Sequence, residues 1–92
     1  MTKLQRRAHF IVTGRVQGVG FRYATHARAV SFGIRGWVRN RLDGSVEGVF
    51  EGPTEHVESL LGWCRHGPSG AYVDEIEIEW QEIREEQDFR IA

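Results

Sequence analysis

Apolar positions along the chain fall into two periods. Phe10 and Val12 alternate with His9, Ile11 and Thr13, which predicts a strand over 9–13 with apolar residues on both faces. Tyr23, Ala24, Ala27 and Val30 recur at helical spacing and predict a helix starting near Phe21, with Gly33 placed to end it. Ile34 to Asn40 reads as a second strand and Arg41-Leu42-Asp43-Gly44 as a hairpin turn. In the third strand, Val46, Gly48 and Phe50 alternate with Glu47, Val49 and Glu51, whose charged face is expected to be partly wet. A second helix opens at Gly52-Pro53-Thr54-Glu55. Its stripe of Val57, Leu60, Leu61 and Cys64 is the clearest helical signal in the chain, and Gly67-Pro68 follows it. Ile76, Ile78 and Trp80 alternate with Glu75, Glu77 and Glu79, a strand with one inward apolar face and one solvated face. Phe89 and Ile91 suggest a short last strand, while the polar stretch from Gln81 to Asp88 has no period that assigns it.

The order is therefore β-α-β-β-α-β plus a terminal strand, an α+β chain. That order corresponds to the split β-α-β arrangement, a mostly antiparallel sheet with two helices on one face. Ninety-two residues without linker, repeat or low-complexity tract are read as one domain, 1–92. No apolar run reaches membrane-spanning length, and the polar start carries no secretory signal. The lone Cys64 favours a reducing compartment, so a cytoplasmic location is expected.

Charge changes the picture. The net charge is −1, yet residues 1–41 hold Lys3, Arg6, Arg7, Arg15, Arg22, Arg28, Arg35, Arg39 and Arg41 with no Asp or Glu. Every carboxylate lies from Asp43 onward. A basic half suggests an anionic ligand, unless the opposite charges meet across the folded sheet and cancel.

The basic half also holds Gly14-Arg15-Val16-Gln17-Gly18-Val19-Gly20-Phe21-Arg22, between the first strand and the first helix. Glycine takes positive φ without steric cost, so this run can curl. Curled peptide N–H groups ahead of a helix N-terminus form an anion cradle, and Arg22 adds a planar cation suited to phosphate. The spacing is neither Gly-x-Gly-x-x-Gly nor Gly-x-x-x-x-Gly-Lys-Ser/Thr, so a dinucleotide or nucleoside triphosphate site is not indicated. Taken alone, such a loop is an ordinary structural turn somewhat more often than a ligand site. Asn40, at a strand end, is by itself better read as a turn former.

The run 14–22 resembles the first signature of the acylphosphatase family. Gly36-Trp37-Val38-Arg39-Asn40-Arg41-Leu42-Asp43-Gly44-Ser45-Val46, with Gly52 after it, resembles the second. Trp63-Cys64-Arg65-His66-Gly67-Pro68 and Val73 to Trp80 also look like that family, so the likeness covers nearly the whole chain. It implies a ferredoxin-like fold and hydrolysis of acyl phosphates to carboxylate and inorganic phosphate, without metal or cofactor; a monomer is the expectation for a chain of this size. It implies further that Arg22 and Asn40 are catalytic. Arg22 binds the phosphoryl group with loop residues Arg15, Val16, Gln17, Gly18, Val19, Gly20 and Phe21, and Asn40 holds the attacking water. The small-molecule partners are then the acyl phosphate and inorganic phosphate, product and competitive inhibitor. No nucleic acid and no membrane partner is expected.

Other residues are set aside. His26 follows Arg22 by one helical turn and is read as a partly exposed helix residue. His9, His56 and His66 have no metal-ligand spacing with Cys64, which itself falls on a core stripe. Trp37 reads as sheet packing, Tyr72 carries little weight as a residue at the mouth of the site, and Glu75, Glu77 and Glu79 form a solvated face. The alternative function is a non-catalytic phosphate-binding or RNA-binding module on the same scaffold. The regular carboxylates on two strands disfavour RNA.

Overall fold

Ala8, Phe10 and Val12 are fully buried, whereas His9, Ile11 and Thr13 on the opposite face are half-buried. This alternation makes β1 (Gln5–Arg15) the strand on which the sheet is built. The computed structural model describes residues 4–92. After β1 come α1 (Phe21–Phe32), β2 (Arg35–Asn40), β3 (Val46–Pro53), α2 (Thr54–Cys64), β4 (Tyr72–Gln81) and β5 (Phe89–Ile91). The five strands lie in the order β4-β1-β3-β2-β5. β1 pairs antiparallel with β3 and β4, β2 antiparallel with β3, and β5 parallel with β2. Two β-α-β units are thus interleaved, each with a strand of the other between its own two. α2 packs on β1 and β3, α1 on β2 and β5, and the core of Phe10, Val12, Val38, Val46 and Phe50 lies beneath them.

The predicted elements are present, and three readings of burial change. α1 buries Phe21, Thr25 and Ala29 rather than Tyr23, Ala27 and Val30, of which Tyr23 is 70% and Val30 58% exposed. Phe21 sets the face, because it plugs against Trp63 at a ring separation of 5.4 Å. Thr25 can follow it inward because its hydroxyl donates to the Phe21 carbonyl at 2.7 Å. Trp80 keeps to the inward face, opposite Ala8, but at the sheet edge it is 40% exposed, with the Arg6 guanidinium 3.6 Å above its ring. Glu51, expected on a wet face, is fully buried.

The segment 82–88 explains that burial. It crosses the face opposite the helices, and the backbone N–H groups of Arg84 and Glu86 donate to Glu51 at 2.8 and 2.7 Å. Arg7, paired with Glu51 across β1 and β3, donates to it at 3.1 Å, to Glu86 at 2.9 Å and to Gln81 at 3.0 Å. Burial pushes the Glu51 carboxyl up, but these hydrogen bonds and the Arg7 charge outweigh it and hold the group below its ordinary value.

Candidate active site

The turn from β1 into α1 is fixed by what it buries. A bulge between Thr13 and Gly14 shifts the pairing with β4. A β-carbon at Gly14 would lie 2.1 Å from the Tyr72 carbonyl oxygen, so no side chain fits there. Val16 and Phe21 are then buried in the core, Val19 packs against it, and the backbone between them curls outward. Gly18 and Gly20 take φ of 75° and 80° to do this. Gly20 is the N-cap of α1 and supplies no side-chain acceptor, and the first turn holds no carboxylate. Among the described residues, no protein acceptor takes a hydrogen bond from the backbone N–H groups of Val16 to Tyr23. The positive end of the helix dipole adds to their field.

Asn40 reaches the same place from the end of β2. The hairpin that follows is closed by Arg41 N–H to the Ser45 carbonyl at 2.9 Å and by Asp43, which accepts from the Ser45 N–H and hydroxyl at 2.9 and 2.6 Å. Those two bonds hold the Asp43 carboxyl below its ordinary value. On the far side of the sheet, Glu47 accepts from Arg39 at 2.7 Å and pairs with His9 at 2.6 Å, stiffening the strand next to Asn40. Burial raises the Glu47 carboxyl, but the His9 and Arg39 contacts prevail and its net position is low.

The two halves of the site are tied together by Gln17, whose side-chain amide donates to the carbonyls of Arg41 and Ser45 at 2.7 and 2.9 Å. Between loop and hairpin lies a cavity of about 260 Å³ lined by Val16, Gly18, Gly20, Phe21, Arg22, Tyr23 and Asn40. Of the residues expected to hold phosphate, Val16, Gly18, Gly20, Phe21 and Arg22 line it. Arg15 sits exposed at the end of β1 opposite Tyr72, Gln17 turns its side chain to the hairpin, and Val19 packs on the core. Tyr72 and His26 are not in the lining; the His26 ring lies tilted against Phe89, with ring centroids 5.9 Å apart. Tyr23 is the lining residue that sequence reasoning missed, having been assigned to the buried face of α1. Periodicity holds no signal that would have moved it.

The Arg22 and Asn40 side chains in the cavity are uncommitted. Among the described residues, no carboxylate pairs with Arg22 and no hydrogen bond engages the Asn40 carboxamide. Charge cancellation across the sheet does occur for Arg7 and Arg39, which pair with Glu51 and Glu47, and Arg41 pairs with Asp43 within the hairpin. It does not reach Arg22. A cluster of free N–H donors, a helix N-terminus and an unpaired guanidinium are suited to a tetrahedral dianion, and a carboxamide is suited to one water.

Comparison with known proteins gives the family. The Acylphosphatase family profile matches residues 8–91. An acylphosphatase of Pelotomaculum thermopropionicum is 52% identical over 87 residues, covering 94% of this chain and 95% of the relative. The solved acylphosphatase of Coxiella burnetii superposes with a TM-score of 0.92 at 33% identity, covering 96% of this chain and 93% of its own. That of Bacillus subtilis superposes with a TM-score of 0.91 at 35% identity, covering 95% and 98%. The fold is the ferredoxin-like α+β fold of these small hydrolases. This chain belongs to the acylphosphatase family, and its reaction is the hydrolysis of acyl phosphates.

Proposed function

We propose that the hydrolysis takes place in the cavity between the β1–α1 loop and Asn40, with Arg22 and the loop amides holding the phosphoryl group and Asn40 orienting the water. The observation that carries this reading is the convergence of unpaired donors from Val16 to Tyr23, Arg22 and Asn40 on one cavity. An acyl phosphate is a mixed anhydride whose leaving group is a carboxylate, which departs without being protonated. The task left to the protein is to neutralise charge on the phosphoryl oxygens and to place water in line. One guanidinium about 4 Å from the phosphoryl charge is worth about 4 kcal/mol at an effective dielectric near 20.

The Asn40 carboxamide is not basic, so it accepts a hydrogen bond from water without taking its proton. Water oxygen attacks phosphorus, the bond from phosphorus to the acyl oxygen breaks, and its electron pair leaves with the carboxylate. The water proton passes to a phosphoryl oxygen. The balance is R–CO–O–PO₃²⁻ plus H₂O to R–COO⁻ plus H₂PO₄⁻. Inorganic phosphate competes for the same donors. Residues 1–92 act as one unit, as a monomer in the cytoplasm. Nucleic acid is not a partner, since Glu75, Glu77 and Glu79 form an exposed acidic row on β4.

The test is hydrolysis of benzoyl phosphate, followed by ultraviolet absorbance with and without EDTA, in the wild type and two Asn40 variants. Activity insensitive to EDTA and inhibited by phosphate is expected. Asn40→Ala is expected to lower kcat by about 10²-fold, the order seen for one preorganised polar group, with little change in KM. Asn40→Asp with an undiminished rate and an unaltered pH profile would refute the orienting role.

A further inference from the structure

Tyr23 is an anomaly in a site otherwise explained. A large aromatic ring stands 70% exposed in the first turn of α1, in the lining of the cavity. Its hydroxyl has no hydrogen-bond partner among the described residues, and the Arg22 guanidinium lies 5.9 Å from its ring centroid. Packing does not require it, because the buried face of this helix is Phe21, Thr25 and Ala29.

In-line displacement constrains where the acyl group goes. If Asn40 orients the attacking water, the carboxylate leaves from the opposite side of phosphorus, away from Asn40. The adjoining cavity at the hairpin tip, lined by Arg39, Asn40, Arg41, Leu42 and Asp43, is on the water side. The exposed Leu42 therefore does not meet the acyl group, although it is a solvent-exposed apolar side chain beside Asn40. Tyr23 rises from a different wall, beside the guanidinium that holds the phosphoryl oxygens.

We propose that Tyr23 is the acyl-side contact and selects acyl phosphates with flat, unsaturated or aromatic acyl groups over small aliphatic ones. The proposal rests on the Arg22–Asn40 reading above. A planar acyl group bound to the phosphoryl oxygen stacks on the ring, while the exposed edge leaves long substituents free to extend into solvent. The loop amides read only the phosphate end, so discrimination falls to this residue.

The experiment measures kcat/KM for benzoyl phosphate and acetyl phosphate in the wild type, Tyr23→Ala, Tyr23→Phe and Leu42→Ala. The benzoyl-to-acetyl ratio is expected to fall about fivefold in Tyr23→Ala, the size of one aromatic contact, chiefly through KM for benzoyl phosphate. Tyr23→Phe and Leu42→Ala are expected to keep the wild-type ratio. An equal loss on both substrates in Tyr23→Ala would make Tyr23 a support for Arg22 and overturn the proposal. An unchanged ratio would overturn it as well, while phosphate-inhibited turnover of both substrates would leave the reading of the site standing. A ratio moved by Leu42→Ala instead would put the acyl group on the water side and sink both.

Discussion

Arg7 and Arg22 carry the same permanent charge and meet opposite fates. Arg7 is 3% exposed, and its guanidinium donates to Gln81, Glu51 and Glu86 at one end of the sheet. Arg22, at the other end of β1, has no carboxylate partner among the described residues and stands over backbone donors that are equally unpaired. The difference teaches how to separate scaffold from site in a chain rich in arginine. Where the protein itself supplies the counter-charge, the pair fixes the chain. Where it supplies only more donors, the missing anion has to come from outside.

The comparison breaks most sharply on activity. Arg22→Ala is expected to lower kcat/KM about 10³-fold and to abolish inhibition by phosphate, following the loss of about 4 kcal/mol of charge stabilisation. Its unfolding free energy should change by less than about 0.5 kcal/mol, as for an ordinary surface position. If phosphate still inhibits the variant, the assignment of Arg22 fails. The reverse pattern is expected at the other arginine's partner. Glu51→Gln leaves Arg7 only the Glu86 carboxylate among the described residues and puts an amide donor against the Arg84 or Glu86 N–H; it should cost about 2 kcal/mol of stability in denaturant titration, with turnover per folded molecule preserved. A loss of turnover without a loss of stability would show that the two regions are not separate.

The same pair carries a pH signature. Because Glu51 is held below its ordinary value of 4.5 when folded, its contribution is complete above that pH. It is lost as pH falls from there through the lowered folded value. Wild-type stability should therefore drop over that acid window, and Glu51→Gln should show a flatter profile there. Gln17→Ala gives the smallest effect, about 1 kcal/mol for two hydrogen bonds to half-buried carbonyls. It should also lower kcat by loosening the link between loop and hairpin. Unaltered kcat would mean that Asn40 is positioned by β2 alone.

Much of this was legible in the residues. The period-two runs at 9–13 and 75–80, the Val57–Leu60–Leu61–Cys64 stripe and the turn at 41–44 gave the element order, because each follows local sterics and burial. The glycine loop was legible as a cradle because positive φ and a helix start are local properties too. What escaped depended on partners distant in sequence. Thr25 turns inward because Phe21 does, Glu51 hides because residues 82–88 fold over it, and Gln17 spends its side chain on a hairpin more than twenty residues away. Tyr23 was misplaced for the same reason: an aromatic residue at helical spacing reads as core until the real face is known. The roles proposed for Arg22 and Asn40 came from the family likeness, since an arginine in a first turn and an asparagine at a strand end have ordinary meanings elsewhere.

Cys64 has a use that follows from its place in the core. It is the chain's lone thiol, it is fully buried at the end of α2, and desolvation pushes its ionisation far above the usual thiol range. A sulfur that is neither ionised nor reachable is inert to alkylating reagents while α2 stays docked. Modification by such a reagent therefore counts openings of the native structure one molecule at a time, giving the protein an internal clock for its own kinetic lifetime without any engineered label.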